Sequence, residues 1–278
     1  MAGIPSIANI NRFIESGLGR SLDPDAKGYI NSVVAAGGTV SGTQRAAINT
    51  FYKTGKADGW YSSLKRVYLP IWGVAAPNAI DMIARGSGTF TGTVTHGAGY
   101  VQSNGTTGYF RTGTAFSTEG LSAADGYIFG LHYTANTTNP AVCIGSGNTN
   151  TCYYFMTTTT ATARWCNSAS GSSIATTRTG IFSFSRKSGV RTFWRRATSG
   201  RTVLVTSTDA DAGTISASPV LAMANNGTDV AATFNPQFYD DGQKGAYGFG
   251  LGLTNAQDLS FTASLKTLWE TCTGLTLP

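Results

Sequence analysis

Charge is scarce in this sequence, and acid scarcest of all. Charged residues make up 12% of the chain, about half the roughly 25% of an average soluble protein. The glutamates are three: Glu15, Glu119 and Glu270. Glycosidases on sandwich folds set Glu and Asp close together, often alternating along one strand so that both carboxylates reach one cleft. Glu15 lies in an N-terminal arm and Glu270 in a C-terminal helical pattern, which leaves little for such a pair. Asp209 and Asp211 have the i, i+2 spacing, but Gly213 and small neighbours mark a loop, and Asp240-Asp241-Gly242 is a turn signature. Two histidines, His96 and His132, without any Cys-x-x-Cys, argue against zinc. No serine sits in a Gly-x-Ser-x-Gly elbow. No window of 18 apolar residues exists to span a membrane. The opening MAGIPSIANINRFIES lacks a basic segment followed by an apolar run, so no secretory signal is expected.

What is present is apolar and turn-rich. A hydrophobic share of 41%, with 14 Phe, 12 Tyr and 5 Trp, is enough for a large core and excludes a disordered chain. Thirty-five glycines among abundant Thr favour strands joined by tight turns. The four cysteines are Cys143, Cys152, Cys166 and Cys272. Cys143 and Cys152 flank IGSGNTNT, a candidate hairpin loop, and form the candidate disulfide; the missing export signal argues for reduced thiols.

The net charge of +6 is concentrated. Arg178, Arg186, Lys187, Arg191, Arg195, Arg196 and Arg201 follow one another with no acid between. Such a run marks a surface for an anionic glycan or other anionic partner, or else a solvated sheet face or an edge guarded by cations. In Arg191-Thr192-Phe193-Trp194-Arg195-Arg196, period 2 sets Phe193 with Arg191 and Arg195. If Trp194 faces the core, Phe193 lies outside between two arginines. The candidate glycan or anion site is therefore Arg186, Lys187, Arg191, Phe193, Arg195 and Arg196. Trp165, Trp194, Tyr109 and Tyr153 are further aromatics for sugar stacking, each with core as the commoner fate. For structural calcium, Asn225-Asn226-Gly227-Thr228-Asp229 and Asp240-Asp241 are the candidate loops, although no EF-hand spacing occurs. No other cofactor or metal is expected. Both histidines read as structural or surface residues.

Along the chain, residues 1–22 have no clear period and read as a docking arm. Residues 23–70 form a short helical segment. Asp23-Pro24-Asp25 starts one helix, whose stripe is Tyr29, Ile30, Val33 and Val34 and which Gly37-Gly38 stops. Ser41-Gly42-Thr43-Gln44 is a capping box opening a second, with Ala47, Ile48, Phe51 and Tyr52 on one face. Trp60, Leu64 and Val67 recur at i, i+4, i+7 and predict a third. Residues 71–278 read as a sandwich with a C-terminal helix. Thr89–Thr95, Tyr127–Tyr133, Cys152–Met156, Ile181–Arg186, Arg191–Arg196 and Thr202–Thr206 alternate between turn clusters, and Lys187-Ser188-Gly189-Val190 makes a tight hairpin. The Thr157–Thr160 run continues a strand. Thr254-Asn255-Ala256-Gln257 caps a last helix whose buried face is Phe261, Leu265, Leu268 and Trp269.

These residues also carry a resemblance. The runs Asp23-Pro24-Asp25-Ala26, Tyr29-Ile30, Ala46-Ala47-Ile48-Asn49-Thr50-Phe51 and Lys56-Ala57-Asp58-Gly59-Trp60 come in that order. Phe90-Thr91-Gly92, Thr95-His96-Gly97, Asn104-Gly105-Thr106-Thr107-Gly108-Tyr109 and Gly252-Leu253-Thr254-Asn255-Ala256-Gln257 follow. The series, over residues 23–272, resembles a family of tailed-bacteriophage and prophage virion proteins that join a helical lead-in to a laminin-G-like, concanavalin-A-like sandwich. One departure is visible: a single Gly follows Trp72 where the family pattern has an aromatic-aliphatic-Gly-Gly turn. The resemblance implies a mainly β, antiparallel jelly-roll β-sandwich preceded by helices and closed by a helix. It further implies a non-enzymatic virion component, such as a head decoration, fibre or tail accessory protein, exposed on the particle. Its partners would be other virion proteins and sister copies in a homo-oligomer. The alternatives are a module that binds host surface glycan and, third, a glycan-degrading enzyme. Membrane and nucleic acid are not expected partners.

Overall fold

The computed structural model describes residues 21–137, 141–147, 152–156, 160–165, 172–175, 177–208 and 214–278. Nearly all of the predicted arm 1–22, the Asp209/Asp211 pair and most of the Thr157–Thr160 run lie outside the described residues. The described chain opens with two helices. Asp23 caps α1 (Pro24–Ala35), its carboxylate accepting from the Asp25 amide. α2 (Gly42–Ala57) begins at the reciprocal Ser41–Gln44 box. Of their stripes, Tyr29, Ile30, Val33 and Ile48, Phe51, Tyr52 are buried, Ala47 is half-buried, and Val34 at the end of α1 is 51% exposed.

The third helix is replaced by a strand. A single 3-10 turn at Tyr61–Ser63 leads into β1 (Leu64–Tyr68). Trp60, Leu64 and Val67 are buried, but Trp60 precedes the turn and Leu64 and Val67 lie in a sheet. Two helical turns are too short to be stable in isolation, whereas β1 gains a ladder on the last strand, β17 (Lys244–Gly250), with Tyr68 opposite Tyr247. After a one-turn helix α3 (Ala75–Asn78) come β2 (Thr89–Thr91), β3 (Val94–Gly97), β4 (Tyr100–Ser103), β5 (Tyr109–Ala115), β6 (Gly126–His132) and β7 (Ala141–Ser146). Then follow β8 (Cys152–Met156), β9 (Thr160–Arg164), β10 (Ser172–Ala175), β11 (Gly180–Lys187), β12 (Val190–Ala197) and β13 (Gly200–Ser207). β14 (Pro219–Ala222), β15 (Asn225–Asn226) and β16 (Pro236–Gln237) precede β17, and α4 (Asn255–Thr273) ends the fold.

The fold is the mainly antiparallel sandwich with flanking helices that the sequence predicts. Sheet I runs β13-β12-β11-β6-β17-β4-β3, with β1 also on β17; sheet II runs β10-β9-β8-β7-β14-β5-β2. Two cores result. Ile128, Phe182, Phe184, Phe193 and Phe249 of sheet I face Cys143, Ile144 and Cys152 of sheet II. On the other face of sheet I, Tyr127, Phe129, Leu131 and Ile181 meet α1, α2 and the α4 residues Phe261, Leu265, Leu268 and Trp269. Sheet I is thus covered on both sides, and all seven residues of β6 are buried. Among the described residues no helix is long and apolar enough to cross a membrane.

The candidate disulfide is corrected: no disulfide joins Cys143 to Cys152, and both side chains are buried. A register shift between Val142 and Ile144 leaves Cys152 opposite Ser146, three residues beyond Cys143. Burial pushes the Cys143 thiol well above its usual range.

Candidate functional site

The basic stretch folds inward. β11 and β12 pair so that Arg186 is opposite Arg191 and Phe184 opposite Phe193. These four point between the sheets, where Arg186 is 1% and Arg191 4% exposed. Burial and the neighbouring Arg186 lower the Arg191 pKa. Phe193 does not lie outside between two arginines: it packs 6.1 Å from Phe182, and Trp194 on the opposite face is buried as well. The expectation failed because it assumed one wet face of β12, whereas the Phe193 face lines the space between the sheets and α4 roofs the Trp194 face. Arg195 stays partly exposed while its Nε donates to the Thr179 carbonyl at 2.8 Å. Arg196 donates to Thr262 Oγ1 and the Leu259 carbonyl on α4 at 2.9 and 3.0 Å. Lys187 Nζ donates to the Gly252 carbonyl at 2.7 Å. The six predicted site residues therefore serve the sandwich interior and the α4 contact, and do not converge on an open surface.

The described carboxylates are likewise committed. Asp258, buried in the first turns of α4, accepts from Tyr127 Oη (2.7 Å), Ser183 Oγ (2.6 Å) and Arg201 Nε (2.7 Å). Asp81 accepts from Arg66 and from the Val67 and Ile83 amides, and Arg66 also grips Glu119. Asp240 pairs with Lys244 at 2.7 Å, both fully buried, so this member of the Asp240-Asp241 calcium candidate is already neutralised. Asp241 accepts from the Thr137 amide at 2.6 Å. Glu270 accepts from Lys266 and the Leu277 amide. Among the described residues no group of His, Cys, Asp or Glu converges as a metal site. His96 contacts Asn78 and the Phe90 ring, and burial lowers its pKa. His132 is fully buried on Phe182, its pKa driven far down by burial and by Lys244.

A different surface carries a cation among aromatics, with no ion-pair partner among the described residues. On β5, Phe110 points between the sheets, so Tyr109 and Arg111 share the outer face of sheet II with Leu221 of β14. Residues 227–239 return across that face and lay Phe234 and Tyr239 on it. Asn226, one of the calcium candidates, staples this strap. Its Nδ2 donates to the Pro219 and Thr233 carbonyls at 3.0 and 2.9 Å, and its Oδ1 accepts from the Asn235 amide at 2.8 Å. The Arg111 guanidinium lies 4.1 Å from the Phe234 ring centre and 5.5 Å from that of Tyr109, whose hydroxyl accepts from Nη2 at 2.9 Å. The Tyr109 and Tyr239 rings are 6.3 Å apart. Phe238, next in sequence to Tyr239, is 48% exposed. Of the sequence's sugar-stacking aromatics, Trp165 and Trp194 are core, and the Tyr153 side chain lies outside the described residues. Tyr109 alone reaches this surface, as a buried floor. Arg111, Phe234, Phe238 and Tyr239 were missed, although Phe234, Phe238 and Tyr239 within six residues of a Gly- and Asn-rich stretch were a visible signal.

No protein-family model and no curated protein matches the chain. Solved structures similar to it include one from work on the cell entry of botulinum neurotoxin type C, which depends on interaction with two ganglioside molecules. That match has 9% identity over 75% of this chain and 53% of the other, with a TM-score of 0.48. A mutant of Trypanosoma rangeli sialidase displaying trans-sialidase activity matches at 8% identity, over 80% of this chain and 39% of that one, with a TM-score of 0.46. The chain therefore spans about half, or less, of the length of the structures it is similar to.

Proposed function

We propose that this chain is a non-enzymatic structural protein of a bacteriophage virion, displaying a lectin-like sandwich on a helical mount. The motif order over residues 23–272 supports the virion assignment. The observation that carries the non-enzymatic part is the commitment of the described carboxylates to caps, ion pairs and amides, which leaves them no cleft to share. Helices α1, α2 and α4 share one core with sheet I, so the mount and the sandwich act as a single body. Quantitative mass spectrometry of purified particles tests this reading: many copies per particle are expected, and absence from particles would overturn it. Incubation with host polysaccharide should release no product.

A second reading, binding of host surface glycan, is favoured by the Arg111 surface. Aromatic rings beside a fixed donor are what sugar recognition needs: rings for the C–H faces, polar groups for the hydroxyls. The isolated protein should then compete with particles for adsorption to host cells.

A further inference from the structure

Two arginines in the described chain lie close over an aromatic ring, and they differ in one respect. Arg201 sits 4.4 Å from the Trp194 ring centre, and its charge is met by Asp258. Arg111 sits 4.1 Å from the Phe234 ring centre and donates to the Tyr109 hydroxyl, with no carboxylate in ion-pair reach among the described residues. Its Nε is buried and makes no hydrogen bond. A half-buried guanidinium, held close to two rings and with no counter-charge among the described residues, is preorganised for a planar anion, because its fork matches a carboxylate.

The strap beside it stores backbone strain. Of the five non-glycine residues with positive φ among the described residues, Ala232 (58°) and Phe238 (54°) lie within it and Met223 (62°) lies four residues before it. For a bulky residue such as Phe this region is costly and persists only where the surroundings enforce it. Here two backbone bonds do so: the Val142 amide donates to the Phe238 carbonyl at 2.8 Å, and the Asp240 amide to the Met223 carbonyl at 3.0 Å. The result is an outward Phe238 ring one residue from Tyr239, which touches Tyr109.

We infer that this surface binds a carboxylated sugar, with the carboxylate on Arg111 and the sugar ring against the aromatic rim of Phe238 and Tyr239. The inference rests on the glycan-binding reading and names its ligand class. The test is saturation-transfer NMR on the full chain with D-glucuronate and D-galacturonate, against D-glucose and D-galactose, which differ from them only at C6, and with acetate as an anion control. The uronates should bind at least about tenfold more tightly than the neutral sugars and acetate. Arg111→Gln should erase that preference, and Phe238→Ala should weaken all the sugars while leaving Tm unchanged, since the ring is exposed. Equal binding of acidic and neutral sugars would overturn the inference and keep the glycan reading, as would an unchanged preference in Arg111→Gln. Acetate binding as tightly as uronate would mark an unspecific anion site and overturn it. No binding by any of these sugars would also overturn it, leaving the glycan reading to the adsorption assay.

Discussion

Replacing Asp258 by Asn should unfold the α4 contact from within. Asn keeps an oxygen for Tyr127 and Ser183 but turns an amide donor toward Arg201 Nε, itself a donor. Asp258 is fully buried and the Arg201 side chain is 8% exposed, so solvent screens the pair little. Removing one partner of a buried pair costs about 3–5 kcal/mol. Unfolding entropy of about 2.1 cal/mol/K per residue makes one kcal/mol worth roughly 2 °C in a chain of this length, so Tm should fall by about 5–9 °C. Adding Arg201→Met removes the stranded charge and keeps apolar contact with Trp194, so the double variant should recover most of the loss. Differential scanning calorimetry with urea unfolding reads both. Arg201→Met alone adds a pH signature. Burial already raises the Asp258 pKa against the lowering bonds from Ser183, Arg201 and Tyr127. A carboxyl raised in the fold binds its proton more tightly there, so stability falls as pH climbs from its unfolded pKa through the folded one. Without Arg201 the carboxyl rises further, and the variant should be less destabilised at pH 5 than at pH 7.5. A single variant within about 1 kcal/mol of wild type, or a double variant no better than the single, would refute the reasoning.

Three further outcomes are expected. Gly126→Ala places a Cβ 1.8 Å from Trp165 Cζ2, so it should cost at least about 1–3 kcal/mol and shift the tryptophan fluorescence; an unchanged spectrum and Tm would contradict the packing. Thr254→Ala removes the bond accepted from the Gln257 amide at 3.2 Å and should cost about 1 kcal/mol in urea unfolding. Lys56→Met tests the acid limb. At Asp23 burial raises the pKa but the Lys56 bond and the Asp25 amide outweigh it; at Asp25 the Lys56 bond leads, and both carboxyls end below 3.8. Their contribution is full above that value and lost as pH falls through the folded pKa, so the gap between variant and wild type should narrow in acid urea titrations.

The elements legible in the sequence were those decided locally. Both capping boxes, the Asp23-Pro24 start and the Ser188-Gly189 hairpin depend on residues a few positions apart, and they stand as read. β1 was misread because Trp60, Leu64 and Val67 suit a helix stripe as well as a strand, and the deciding partner is β17, some 180 residues on. The arginine run was misassigned for a related reason. Alternation tells which residues share a face of β12, but whether that face meets water or a helix is settled by α4. The Arg111 surface was hidden because its halves, β5 and the strap 227–239, lie more than a hundred residues apart. The cysteine pair failed on one bulge, which no count of loop residues reveals.

The position of β17 governs how the protein is made. It is synthesised after every other strand of sheet I, yet it sits mid-sheet, joining β6 on one side to β1 and β4 on the other. Until residue 250 leaves the ribosome, the β11–β13 half of sheet I and the β3–β4 half have no ladder between them. A growing chain therefore carries open strand edges and uncovered Phe and Tyr for most of its translation, and closure is a late step linking distant segments. Ribosome-bound chains ending before Lys244 should remain protease-sensitive, and native-like protection should arrive in one step once β17 and α4 are released.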